Sequence, residues 1–309
     1  MAVLNPPRVI PGLGRSIVNF LADSRREWDE ASLVEAFNPA VNESEGAADA
    51  VRNTLSAFRA IGIVEAGPQG TTRTADSVVA DGTPHSRASF RRVMLKHVFD
   101  AERDGDPWAL AEGDAITSGA RDLTRALTWF LAQDALGEPL RWTDTSSNVE
   151  RIQAVQFATN DHSRWPLVND TRWNAFSRWA VALGLAVPSV SRTATGLVPL
   201  PTIAIADAVR TVPSGRTPIA EFLGALARQL PAISDGTLRR GLVAQLGGND
   251  PDPGVQAHAV DSSVAQSLRI LASRGVLVFE SLADANGVLL SGTDQSRTTH
   301  VTVNLGKKR

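Results

Sequence analysis

Cysteine is absent from this chain of 309 residues. No disulfide, thiolate nucleophile or cysteine-type zinc site can form, which fits a reducing compartment. Lysine is scarce, appearing only at Lys96, Lys307 and Lys308, so arginine supplies nearly all of the 31 basic residues. A GC-rich coding genome explains that bias more simply than a demand for guanidinium chemistry. A strong charge of either sign is also lacking. The net charge is -2 and the pI about 6.2, so no global basic field advertises nucleic acid. No window approaches 18 uninterrupted apolar residues, and the start MAVLNPPRVIPGLGRS shows neither an apolar core nor a cleavage pattern. The expectation is a cytoplasmic chain, neither secreted nor membrane-spanning.

Motifs of catalysis are missing as well. The sequence contains no GxxxxGK[ST], GxSxG or HExxH, and PGLGRS at 11–16 lacks an upstream strand. The histidines (His85, His97, His162, His258 and His300) show no paired-ligand spacing, and His97 on an apolar helical face reads as a core residue. DAERDGDPW, residues 100–108, imitates the early positions of a calcium loop with Asp100, Glu102, Asp104, Gly105 and Asp106. Position twelve would be Ala111, with Glu112 one place late, and Pro107 interrupts the pattern. A solvated loop is the better reading, as it is for NDPDPG at 249–254. The chain is expected to be no enzyme and to hold no metal or cofactor.

What is present is a packed-core composition, 43% hydrophobic, and one phrase written three times. In DAVRNTLSAFRAIGIVE, Val51, Leu55, Phe58 and Ile61 share a helical face before Gly62 and the strand Ile63-Val64-Glu65. A GPQGTT turn follows, with a weaker second strand ending near Val78-Val79. In DTRWNAFSRWAVALGLAV, Trp173, Phe176, Trp179, Ala180 and Leu183 line up before Gly184, and SRTATG leads on to Leu197-Val198. In SVAQSLRILASRGVLVFESLADANGVLLSG, Val264, Leu268 and Leu271 precede Gly275, and an Asn286-Gly287 turn joins two apolar strands. Asp49, Asp170 and Asp261 stand where each helix wants a cap. Two further helices precede the first and third copies.

Helix, helix, helix, hairpin is the winged helix-turn-helix order. The fold class expected is mainly α (α+β), tandem winged units joined by a helical middle region. The units are 1–82, a helical linker or bundle at 83–145, a winged-helix-like unit at 146–212 with a proline-rich and therefore short wing, and 213–309. HSRWPLVNDTRWNAFSRWA interleaves Trp165, Trp173 and Trp179 with Arg164, Arg172 and Arg178. Such interleaving can stack bases, but the helical spacing of Trp173, Phe176 and Trp179 favours core rings with arginines reaching solvent.

The start LNPPRVIP, the motif WNAFSRWAVALGLA and the segment GLVPLPTIAI resemble the DpdG family, the G proteins of the bacterial Dpd cluster. That cluster inserts 7-deazaguanine derivatives into DNA and includes restriction components. The resemblance implies a non-catalytic role in phage defence and transfers no active-site residue.

Three functions then compete. The first is an adaptor and DNA-contacting component of a defence or DNA-modification complex, the second an operator-binding regulator, and the third a protein-only scaffold. Each third helix nets about one positive charge, thin for a major groove. The expected partners are other proteins of such a complex and, weakly, double-stranded DNA, with no membrane. Phosphate contacts would fall to Arg52, Arg59, Arg172, Arg178, Arg192, Arg269 and Lys307.

Overall fold

The computed structural model describes residues 2–5, 8–24, 26–38, 46–67, 70–82, 84–108, 119–143, 147–158, 162–190, 195–246, 249, 259–283, 286–290 and 297–305. In chain order it runs α1 (Pro11–Ser24), α2 (Glu30–Phe37), α3 (Ala47–Ala60), β1 (Val64–Ala66), β2 (Thr72–Thr74), α4 (Asp76–Ala80), α5 (Arg87–Val98) and α6 (Ala101–Asp104). Next come α7 (Arg121–Leu131), α8 (Asn148–Gln156), α9 (Asp170–Ala182), β3 (Ala186–Pro188), β4 (Leu197–Pro199) and α10 (Thr202–Val209). The last stretch holds β5 (Gly215–Pro218), α11 (Ile219–Gln229), α12 (Thr237–Leu246), β6 (Ala259–Val260), α13 (Ser262–Ser273), β7 (Leu277–Glu280), β8 (Val288–Leu290), β9 (Arg297–Thr298) and β10 (His300–Val303). The class is mainly α with small sheets, as the periodicity predicts. Two compact units emerge, 1–124 with 169–183, and 125–168 with 184–309.

The three glycines behave alike. Gly62, Gly184 and Gly275 take φ of 72°, 69° and 73°, and a strand begins two residues after each. In the left-handed region a Cβ crowds the following carbonyl, so glycine ends the helix at least cost. At Gly62 and Gly275 the amide of the next residue reaches back five, Ile63 to Phe58 at 2.8 Å and Val276 to Leu271 at 3.0 Å. That bond closes the helix end and satisfies an orphan carbonyl.

The helix starts differ from expectation. Gly46 precedes α3, with Asp49 inside its first turn. Asn169 rather than Asp170 caps α9, accepting from the Arg172 amide at 2.9 Å. Asp261 flanks α13 but makes no cap bond. Its carboxylate is buried and takes Arg239 through Nε at 3.1 Å and Nη2 at 3.0 Å. An ion pair outbids a neutral amide for a carboxylate.

In the first unit, Phe58 of α3 anchors the core. Its ring lies 6.5 Å from Phe90 of α5 and 6.3 Å from Trp179 of α9. The Trp179 indole donates to the Val9 carbonyl at 3.0 Å. The chain start is threaded inward: Ala2, Val3 and Leu4 are buried, and the Val3 and Leu4 amides donate to the Asp122 carboxylate at 3.3 and 2.8 Å. Burial pushes that carboxyl up to about 6, against these amides and the nearby Arg172, which pull it down. β1 and β2 form a two-stranded ribbon with Glu65 opposite Arg73. Val78 and Val79, expected near the end of the second strand, belong to α4. Thr72 to Thr74 took the pairing, because the tight turn returns the chain sooner.

In the second unit, β3 and β4 pair over three residues with prolines at their ends, the short ribbon that the sequence implies. α10 lies along α13. The expected hairpin around Asn286-Gly287 does not form. β7 pairs instead with β10, which also pairs with β5, so the sheet order is β5-β10-β7. β8 joins β6 and β9 in a second sheet. Val301 and Val303 of β10 are buried, so this pairing brings two valines into the core. Thr299 turns the corner from β9 to β10, its amide and hydroxyl both donating to Glu280 O at 2.9 and 3.1 Å.

Candidate nucleic-acid interface

The helices ending at Gly62, Gly184 and Gly275 would each be a groove reader in the expected units, and they face solvent very differently. α13 is closed. From Ser262 to Ala272 no residue is exposed. Ser263 donates to Leu131 O at 2.6 Å, and Thr202 bonds Ser267 at 3.2 Å. Small hydroxyl residues let α10 approach closely while satisfying their own polar atoms. Arg269 is half-buried and donates to Leu290 O at 2.9 Å.

α3 buries Val51, Leu55 and Phe58 and exposes Asp49 and Arg52. Asp49 lies 3.5 Å from Arg52 and 3.6 Å from Arg8, pairs exposed enough to be screened. Arg59, seven residues on, does not share that open face. It pairs with Glu30 at 3.1 Å and donates to Thr72 Oγ1, tying α3 to α2 and β2. Their angular register is right, yet α2 leans over the C-terminal end of α3 and supplies the carboxylate.

On α9 the exposed stripe runs Thr171, Asn174, Arg178 and Val181, at three-four-three spacing. Arg178 pairs with no carboxylate among the described residues. Arg172 is half-buried and sits near enough to Asp122 to favour its ionised form. Trp165, Trp173 and Trp179 are all buried, so the core reading of the rings holds. Arg192 and Lys307 lie outside the described residues, as do Ala111, Glu112 and most of the 249–254 loop.

A basic feature lies outside the three repeated helices. α5 carries Arg87, Arg91, Arg92, Lys96 and His97 and no acidic residue. Arg91 is buried, Lys96 is paired with Asp81 at 2.6 Å, and Arg87 and Arg92 are exposed. Local net charge along the sequence would have found it.

Asp100, Asp104, Asp106 and His97 make local bonds within the first unit. Asp100 caps α6 through the Arg103 amide, Asp104 accepts from Arg103 and from the Ala120 amide, and Asp106 accepts from the Trp108 amide. His97 Nδ1 lies 2.9 Å from Ile61 O, which only a protonated Nδ1 satisfies, and burial lowers the pKa of the ring. Among the described residues, no three His, Asp or Glu gather as metal ligands would. Among them, too, no helix is long and apolar enough to cross a membrane.

The model of the DpdG-like family matches residues 1–285, most of the chain. The chain belongs to the DpdG-like family. Membership points to a role in the Dpd modification cluster, in keeping with DNA modification and defence. The match covers all of unit one and stops before β8, β9 and β10. No curated protein and no solved structure matches the chain.

Proposed function

We propose that this chain is a non-catalytic, winged-helix adaptor of a cytoplasmic Dpd complex, which holds protein partners and touches DNA only through weak phosphate contacts. The order α1-α2-α3-β1-β2 supports a winged helix in the first unit, and α11-α12-α13 with β7 and β10 supports a second. The observation that carries the DNA part is the closure of α13, together with the pairing of Arg59 to Glu30. Neither helix offers a major groove a row of free cations. Exposed arginines are instead spread over several elements, among them Arg52 on α3, Arg87 and Arg92 on α5, and Arg178 on α9.

Counterion release scales with the number of phosphates neutralised, so a few scattered contacts give weak, sequence-tolerant binding. An operator reader needs several base contacts from one helix, each contributing about 1–3 kcal/mol of discrimination. The non-catalytic reading draws support from Asp100 and Asp104, the most catalytic-looking carboxylates, which cap α6 and hold Arg103. The test is a salt titration with matched and scrambled duplexes. Similar affinities and a shallow slope are expected. Strong discrimination at physiological salt would establish the regulator instead, and no binding at low salt would leave a protein-only scaffold.

A further inference from the structure

The Asn286-Gly287 pair makes no hairpin turn, and the fold leaves its own chemistry open. Asn286 stands just ahead of β8, outside any strand pairing, and is exposed. Among the described residues neither its carboxamide nor the Gly287 amide has a hydrogen-bond partner. The sequence holds three comparable bonds, all Asp-Gly, and the structure treats them differently. Gly82 donates to Val79 O at 3.0 Å, Gly105 to Ala101 O at 2.9 Å and Gly236 to Ile233 O at 2.9 Å. An amide N–H already donated is held in place and gives up its proton reluctantly.

Glycine at 287 is itself required by packing. A Cβ there would lie 2.7 Å from Arg297 Cγ and 2.8 Å from the Thr298 carbonyl oxygen, so β9 leaves no room for a side chain. The nitrogen that follows Asn286 is therefore both without a partner and unshielded. We infer that Asn286 is a site of spontaneous covalent modification, converting in the native protein to aspartate and isoaspartate. Base removes the Gly287 amide proton, and the nitrogen attacks Asn286 Cγ to close a five-membered imide, ammonia leaving with that proton. One water then opens the ring. Opening at Cγ gives aspartate in an ordinary chain; opening at the main-chain carbonyl carbon gives isoaspartate, with the chain rerouted through Cγ. Nothing is oxidised or reduced. Either product is a carboxylate, ionised at neutral pH, in place of a neutral amide. The isoaspartyl form also adds a methylene to the main chain ahead of Val288, the residue that pairs with Thr298.

The modification does not depend on the adaptor function. To test it, the full chain is kept at mildly alkaline pH and sampled over days. Peptide mapping by mass spectrometry and enzymatic methylation of isoaspartate are the readouts. Expected is first-order replacement of NH by O at Asn286, faster as pH rises, with isoaspartate confined to that peptide. In urea, Asn286 should convert at a rate within about tenfold of the native one. Asp81, Asp104 and Asp235 should instead gain isoaspartate at least about tenfold faster in urea than in the folded chain. Asn286→Gln, which would have to close a six-membered ring, should remove the signal without changing the melting temperature. The inference is overturned if the native chain leaves Asn286 unchanged, or if unfolding accelerates its conversion by more than about tenfold. Equal isoaspartate at the three Asp-Gly bonds of the folded chain would overturn it too, since the glycine hydrogen bonds would then protect nothing.

Discussion

α3 with its ribbon and α13 with its sheet begin from the same local phrase and end in different surroundings. In the first unit the strand after Gly62 is answered by a neighbour ten residues on, and one face of the helix stays open. In the second the strand after Gly275 waits for β10, and the helix is enclosed. A glycine with positive φ decides where a helix stops. Which strand pairs with the next one is set outside the phrase: β1 takes the nearby Thr72–Thr74, β7 the distant His300–Val303.

The sharpest way to break this comparison is to remove β10. A chain truncated before Arg297 should lose cooperative unfolding in its second unit, while two-residue glycine loops replacing Gly67–Gly70 in the first should leave a folded protein; thermal melts followed by circular dichroism report both. Next in size, Arg239→Ala should destabilise by about 3–5 kcal/mol, because it strands the buried Asp261 carboxylate. Phe58→Ala should cost about as much by opening a cavity among α1, α5 and α9. If chemical denaturation gave either variant less than about 1 kcal/mol, the assignment of these groups to the two cores would be wrong.

Asp122 gives the first unit a pH signature. Its folded pKa of about 6 stands above the ordinary 3.8, so folding binds a proton between those values. Its contribution to stability is therefore fully present below pH 3.8 and is lost as pH rises through 6, by about 3 kcal/mol. Asp122→Asn keeps an oxygen for the Val3 and Leu4 amides and should flatten the stability profile across that window. An unchanged profile would assign the proton uptake elsewhere.

Smaller effects sharpen the comparison. Gly62→Ala and Gly275→Ala should each cost about 1–2 kcal/mol, and by similar amounts, since a Cβ would make only ordinary contacts at Gly62, 3.6 Å from Arg103 and His97, and none at Gly275. Smallest of all, Arg52→Ala should leave the melting temperature unchanged and reduce the slope of log affinity against log salt by about one unit. Arg59→Ala should do the reverse, lowering stability with little effect on that slope.

Helix faces and their glycine ends were legible because they follow from periodicity within a dozen residues. Val51, Leu55, Phe58, Trp173, Phe176, Trp179, Val264 and Leu268 all face inward as their spacing requires. Strand partners were not legible, since nothing near Val276 announces that residues 300–303 will pair there. The same limit applied to charge. Arg59 and Arg52 are equivalent in sequence, and the positions of Glu30 and Thr72 separate a structural arginine from an open one. The basic character of α5 is legible in the sequence as a run without an acidic residue, but it lies outside the repeated helix-Gly-strand phrase.

The course of synthesis follows from the position of β10. β5 leaves the ribosome about 80 residues ahead of the strand that completes it, and such distant pairing is slow to form. Until residue 303 has emerged, β5 and β7 present open edges with no strand between them. The first unit faces a milder delay, waiting only for α9 to supply Trp179. A nascent chain stalled near residue 290 would thus carry a nearly finished first half and an adhesive second half, which makes this stretch the one that chaperones are expected to hold.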